Sequence, residues 1–127
     1  MDYSDLQEKL RELKTEDFIW VIYIGIIILS WISNNFERDY FVNNNIESKN
    51  IYRNILIIIF AILTIVYIYF LKESIKDIRN LKPTDSEKKK VFVYLSALAS
   101  FLILVSGVIF LFIAIADENI DVELAFN

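Results

Sequence analysis

Four carboxylates, Asp117, Glu118, Asp121 and Glu123, crowd a segment that carries no basic residue. Clustered oxygen donors of this kind suit a hard cation such as calcium. The twelve-residue calcium loop with its glycine and terminal glutamate is missing, so the cluster reads first as solvated charge and no metal site is assigned. A second set is Lys88, Lys89 and Lys90. Three adjacent ammoniums can hold anionic lipid headgroups at about 1 kcal/mol each, although the same run serves first as a topology signal. The third set is hydroxyl: Thr64, Ser96, Ser100 and Ser106 lie within apolar runs. A serine nucleophile needs a base beside it. None is at hand, because the sequence has no histidine and the apolar runs hold no carboxylate or lysine.

These absences bound the chemistry. Without cysteine or histidine, disulfides, thiolate nucleophiles, zinc fingers, His-ligated haem and imidazole proton shuttles are beyond this sequence. Intramembrane proteolysis, proton relays, voltage sensing and ion-coupled transport need charged or titratable groups at depth. The expectation is therefore a non-enzymatic protein with no catalytic residues and no cofactor. One lysine run gives nucleic-acid binding no support.

The elements that position these groups are three charge-free runs, 18–36, 54–71 and 91–116, of 19, 18 and 26 residues. As helices they span roughly 28, 27 and 39 Å, against a hydrocarbon core of about 30 Å. In lipid the backbone must satisfy its own hydrogen bonds, so each is expected to be helical. The fold class that follows is an all-α integral membrane protein with three transmembrane helices. Trp20 and Trp31 stand near the two ends of the first run, and Tyr67 and Tyr69 mark one end of the second, as interfacial anchors do.

Residues 1–17 are polar and acidic, which argues against a targeting peptide. Ser4 and Gln7 have capping-box spacing. Tyr3, Leu6, Leu10 and Leu13 then fall on one helical face, predicting a short N-terminal amphipathic helix. It is expected to rest at the interface or on the protein's own cytosolic loop, and two heptads are too short to form an oligomerisation seam alone. Residues 37–53 read as a connection whose turn lies at Asn43, Asn44 and Asn45. Leu71, Ile75 and Ile78 extend the second helix past its span, to about Leu81, before Pro83 ends it. Thr84 and Glu87 offer a cap for the third helix. Spans two and three thus form a helical hairpin with a cytosolic extension and a tip at 72–90.

Within the third run, Ser96, Ser100, Ile103, Gly107, Phe110 and Ala114 recur at steps of four and three. Ser96 and Ser100 form a small-xxx-small pair that lets backbones approach, so this is the expected helix-packing face, within one protomer or between protomers. Gly25 offers a weaker approach point. The excess length of this run implies tilt or extension beyond the bilayer. Ile120, Val122, Leu124 and Phe126 alternate with polar residues or alanine, a strand-like period in an acidic tail, 117–127.

Orientation follows from counting basic residues. Three precede the first run, three lie between the first and second, seven lie in the hairpin tip and none follows the third. An inside amino terminus places the larger share in the cytoplasm, predicting a plasma-membrane protein with its N-terminus inside and its C-terminus outside. The expected partners are membrane lipid and either another membrane protein or a second copy. The leading functional expectation is association, as an accessory subunit or homo-oligomer. The alternatives are a holin-like permeabilising protein and a membrane immunity or regulatory protein.

Overall fold

Two asparagines make the first turn of the chain. Asn44 adopts the left-handed conformation, φ 53°, and ends one helix; asparagine is among the few residues with a side chain that tolerate this region. Asn45 is extended, and its Oδ1 accepts hydrogen bonds from Glu47 N at 3.1 Å and Ser48 N at 3.3 Å, capping the next helix. The computed structural model describes residues 2–116, which form three helices and no strand: α1 Tyr3–Asn43, α2 Ile46–Arg79 and α3 Glu87–Ala116. All three are long and apolar enough to cross a membrane. The segment 117–127, with its carboxylates and alternating apolar residues, lies outside the described residues.

Several boundaries differ from the sequence reading. Residues 3–17 are not a separate helix; they are continuous with the first span in one rod of 41 residues, roughly 62 Å long at helical rise. No glycine or proline stands between Tyr3 and Phe18 to interrupt it. The helix also starts earlier than the Ser4 capping box implies. Asp2 is the N-cap residue, and Ser4 donates its hydroxyl hydrogen to Asp2 Oδ2 at 3.2 Å instead of capping the backbone. The expected connection of 37–53 shrinks to Asn44 and Asn45, because α1 and α2 each run on through its polar residues.

At the other turn, α2 ends at Arg79, two residues before the expected Leu81. Asn80 N donates to Lys76 O at 3.0 Å, the last helical bond. Lys82, Pro83, Thr84 and Asp85 then make a tight turn. Asp85 N donates to Lys82 O at 3.0 Å, and Lys82 N donates to the Asp85 carboxylate at 2.7 Å. Proline suits the second position of such a turn because its φ is already set. The cap of α3 is Ser86 and not Thr84: Ser86 Oγ accepts from Lys89 N at 3.1 Å. Thr84 is used up by the turn itself.

The helices run up, down and up, with α2 in the middle packed against both neighbours. Its buried residues Tyr52, Leu56, Ile59, Phe60, Leu63 and Val66 advance by steps of four, three, one, three and three, a broad stripe that both neighbours cover. On α1 only Ile19, Ile26 and Ser33 are buried, each seven residues from the next. Seven residues is two turns, so a narrow seam joins α1 to α2. Most large apolar side chains of α1 and α3 remain uncovered, including Trp20 and Trp31. A surface of that kind suits lipid, not water.

Candidate functional site

The α2–α3 seam collects the small residues of α3. Ser100 and Ser74 share a hydrogen bond of 2.9 Å between their hydroxyls. Gly107 is buried against the Tyr67 ring, so close that a β-carbon there would lie 2.9 Å from Tyr67 Cδ2. Phe110 stacks on Phe60 with 5.5 Å between ring centroids, and Ala114 is buried at the far end. Ser96 and Ile103 do not enter the seam; they are exposed and stand on the rim of a groove beside it. Thr64 donates to the Phe60 carbonyl of its own helix at 2.7 Å, as hydroxyls in apolar helices do. Gly25, by contrast, has nothing close to it and serves no approach.

Arg53 closes the seam at the end of α3. Its Nε donates to Ala114 O at 3.3 Å and its Nη2 to Ile115 O. The last carbonyls of a helix have no partner within it and carry its negative dipole end, so a guanidinium satisfies them twice over. The sequence reading counted Arg53 only as a topology charge. Its position at the edge of the second run, opposite the end of the third, was the available signal.

Pairings along the seam fix the register: Arg53 with Ala114, Phe60 with Phe110, Tyr67 with Gly107 and Ser74 with Ser100. The far ends of the apolar runs therefore align, and the extra length of α3 falls at its N-terminal end. There Val91, Phe92, Tyr94, Leu95 and Leu98 stay exposed beside the charged extension of α2.

Residues 3–17 reach that same extension from the other side. Lys76 donates to Glu8 and, at 3.5 Å, to Glu12, one turn apart on α1. The hydrogen bond and charge of Lys76 hold the Glu8 carboxyl below the ordinary carboxylate range. The bond to Glu8 in turn raises Lys76 above the usual lysine range, more than its partial burial lowers it. With Glu8 and Glu12 turned toward α2, the opposite stripe points outward: Tyr3, Leu6, Leu10 and Leu13 are 72%, 44%, 56% and 42% exposed. The same three-and-four spacing runs on through Trp20, Ile24, Ile27 and Trp31, all exposed, and only Asp17 interrupts it. Breaking the chain at residue 17 hid that continuity in the sequence reading.

Between the extensions and the apolar seam lies a groove of about 360 Å³. Glu16 of α1, Glu73 and Asp77 of α2, and Ser96 and Ser100 of α3 form its polar part. Tyr67 and Ile103 are shared with a neighbouring, mostly apolar hollow of about 240 Å³ that reaches Leu102 and Phe110. Neither Glu16 nor Glu73 makes a salt bridge or hydrogen bond among the described residues. Lys88 and Lys89 share a separate, shallower depression with Asp77 and Phe92. Lys90 sits apart, 3.5 Å from Glu87.

A third polar cluster occupies the Asn44–Asn45 turn. Asp39 accepts from Asn43 Nδ2 at 2.7 Å, Asn45 Nδ2 at 2.8 Å and the Ser48 hydroxyl. Those bonds, Ser48's foremost, hold its carboxyl below the ordinary range. Its chemistry is structural: one carboxylate ties the end of α1 to the start of α2. Among the described residues no group of histidine, cysteine, aspartate and glutamate is arranged to hold a metal ion. No family model, curated protein or solved structure matches the chain.

Proposed function

We propose that this chain is a non-enzymatic, multi-pass plasma-membrane protein, N-terminus inside, that acts by association as an accessory subunit or homo-oligomer. Membrane placement is supported by the three apolar helices, whose uncovered outer faces suit lipid. The orientation rests on the basic residues, seven of which lie in 72–90. Association is carried by one observation: the apolar stripe of α1 leaves the membrane span and continues uncovered through Leu13, Leu10, Leu6 and Tyr3. Lipid accounts for an uncovered stripe only within the bilayer. At helical rise, residues 3–13 carry it roughly 15 Å further, where an apolar helix face is stabilised by another helix. The occupant proposed is an apolar helix of a second protein chain, either another copy or a subunit of a larger complex.

The test is site-directed photocrosslinking at Leu6 and Leu10 in membranes, with Asp5 and Lys9, exposed but off the stripe, as comparison sites. Crosslinks at the leucines identify whether the partner is another copy or a different protein. Leu6→Asp with Leu10→Asp is expected to remove them while the protein stays inserted. Equal yields at the leucines and at the two comparison sites would refute the reading. The permeabilising alternative is weaker because Ser100, Gly107 and Ala114 are occupied by α2 within one chain. It predicts membrane depolarisation on overexpression that Ser96→Leu with Ser106→Leu abolishes.

A further inference from the structure

We infer that the groove between the three helices is a binding site for an amphiphilic cation, a molecule with an alkyl chain and an ammonium headgroup. The inference rests on the membrane placement proposed above but not on the association partner.

Two neighbouring hollows that share Tyr67 and Ile103 carry the argument as its two halves. The inner half is acidic. Glu16 and Glu73 come from different helices, are half-buried, and have no salt bridge or hydrogen bond among the described residues. Glu73 also borders a hollow with Arg11 and Lys76, and the charge of Lys76 reaches it. Lys76 is held by Glu8 and Glu12, and Lys89 by Asp85 at 3.2 Å. Asp77 shares its depression with Lys88 and Lys89, so its charge is partly answered, as that of Glu73 is by Lys76, and the inference leans first on Glu16. Carboxylates held in a partly buried groove raise the local concentration of a positive group.

The outer half is apolar. It is the hollow on the other side of Tyr67 and Ile103, lined by Leu63, Leu102 and Phe110. An inorganic cation would use only the acidic half, and a neutral acyl chain only the apolar half. An amphiphile with an ammonium head uses both. Tyr23 and Tyr67, both on the groove wall, add aromatic rings of the kind that attract ammonium groups. The register of α3 places the junction of the two halves where charged α2 meets the still apolar α3. A headgroup and its chain need such a junction.

The test uses the full chain in phosphatidylcholine nanodiscs, titrated with dodecyltrimethylammonium, whose charge does not depend on pH. Binding is read from quenching of Trp20, which shares a neighbouring hollow with Glu16 and Tyr23, and from equilibrium dialysis with radiolabelled probe. Saturable binding is expected. Glu16→Gln with Glu73→Gln keeps the volume and removes the charge, and is expected to weaken binding roughly tenfold. Ile103→Trp, which fills the shared waist, is expected to abolish it. Asp5→Asn with Glu87→Gln, outside the groove, is expected to leave it unchanged. Dodecanol is expected to compete poorly. Helical circular dichroism of each variant confirms that it is folded. Non-saturable uptake, equal loss from the two charge-removing pairs, or equal competition by dodecanol would each overturn the site. The last of these would assign the groove to ordinary lipid chains. None of these outcomes depends on crosslinking at Leu6 or Leu10, so failure of the site and failure of the association reading are separable.

Discussion

Replacing Gly107 by isoleucine tests how α2 and α3 are held together. At this position a β-carbon alone would stand 2.9 Å from Tyr67 Cδ2 and 3.1 Å from Tyr67 Cε2, with Thr64 Oγ1 at 3.7 Å. The first distance is shorter than side chains accept, so the ring or the helix must move. Gly107 and Tyr67 both border the hollow of about 240 Å³, so the cost lies in displacing the ring or the helix backbone, about 1–3 kcal/mol. Removing a helical glycine returns part of this, since glycine is about 1 kcal/mol worse than alanine and isoleucine recovers only some of that difference. The clash therefore wins, and a net destabilisation of about 1–2 kcal/mol is expected. Tyr67 is the group struck, so Tyr67→Ala in the same chain should relieve the damage. The double variant should fall short of the sum of the singles by at least about 1 kcal/mol, the coupling expected of residues in contact. The assay is reversible unfolding in mixed micelles, followed by fluorescence energy transfer between labels at positions 64 and 110 in each background. Additive effects would refute the close approach of α3 to Tyr67. A stable Gly107→Ile monomer that loses only intermolecular contacts would move the small face from the protomer interior to its exterior.

Two further outcomes follow from the polar ends of the bundle. A reporter active only outside the cytoplasm is expected to work when fused after Asn127 and to fail when inserted at Pro83, and Lys88, Lys89 and Lys90 changed together to Gln should yield mixed topology; the opposite reporter pattern would reverse the orientation. The Asp39 carboxyl is lowered in the folded chain, so its stabilisation is present above the ordinary aspartate range and is lost as pH falls through its lowered value. Unfolding measured across the acid range should therefore show an acid-side decline that is shallower in Asp39→Asn. An unchanged profile would mean that the bonds from Ser48, Asn43 and Asn45 do not favour the ionised form.

What was legible in the sequence were features written into runs and single punctuating residues. Charge-free stretches about as long as the hydrocarbon core is thick, or longer, are expected to be helices in lipid, and all three lie in helices here. Asn44 and Pro83 mark the turns because one tolerates a left-handed backbone and the other arrives with its φ already set. The boundaries around them were less legible. Polarity at residues 37–43 and 46–53 suggested a loop, yet polar residues extend a helix readily when nothing breaks it, and the asparagine pair concentrates the whole turn in two residues. Ser4 and Thr84 carried capping-box spacing, but Asp2 and Ser86 stand at the helix starts, since a spacing rule cannot say which of several adjacent polar residues leaves the helix first.

The groove was illegible for a different reason. Glu16, Glu73 and Ser96 are far apart in sequence and belong to three helices, so only the inter-helix register brings them to one place. That register is set by contacts no periodicity reveals: Lys76 on Glu8 and Glu12, Ser74 on Ser100, and Arg53 on the last carbonyls of α3. Each joins a charge or hydroxyl to a partner on a neighbouring helix, where a slip of one turn, about 5.4 Å, would separate them. Apolar seams between lipid-facing helices tolerate such slips poorly in shape but gain no hydrophobic energy from opposing them. The polar pairs at the two ends of α2 therefore supply what fixes the height of α3. Fixing that height is what leaves apolar α3 residues 91–98 standing beside charged α2, with an acidic groove at the boundary.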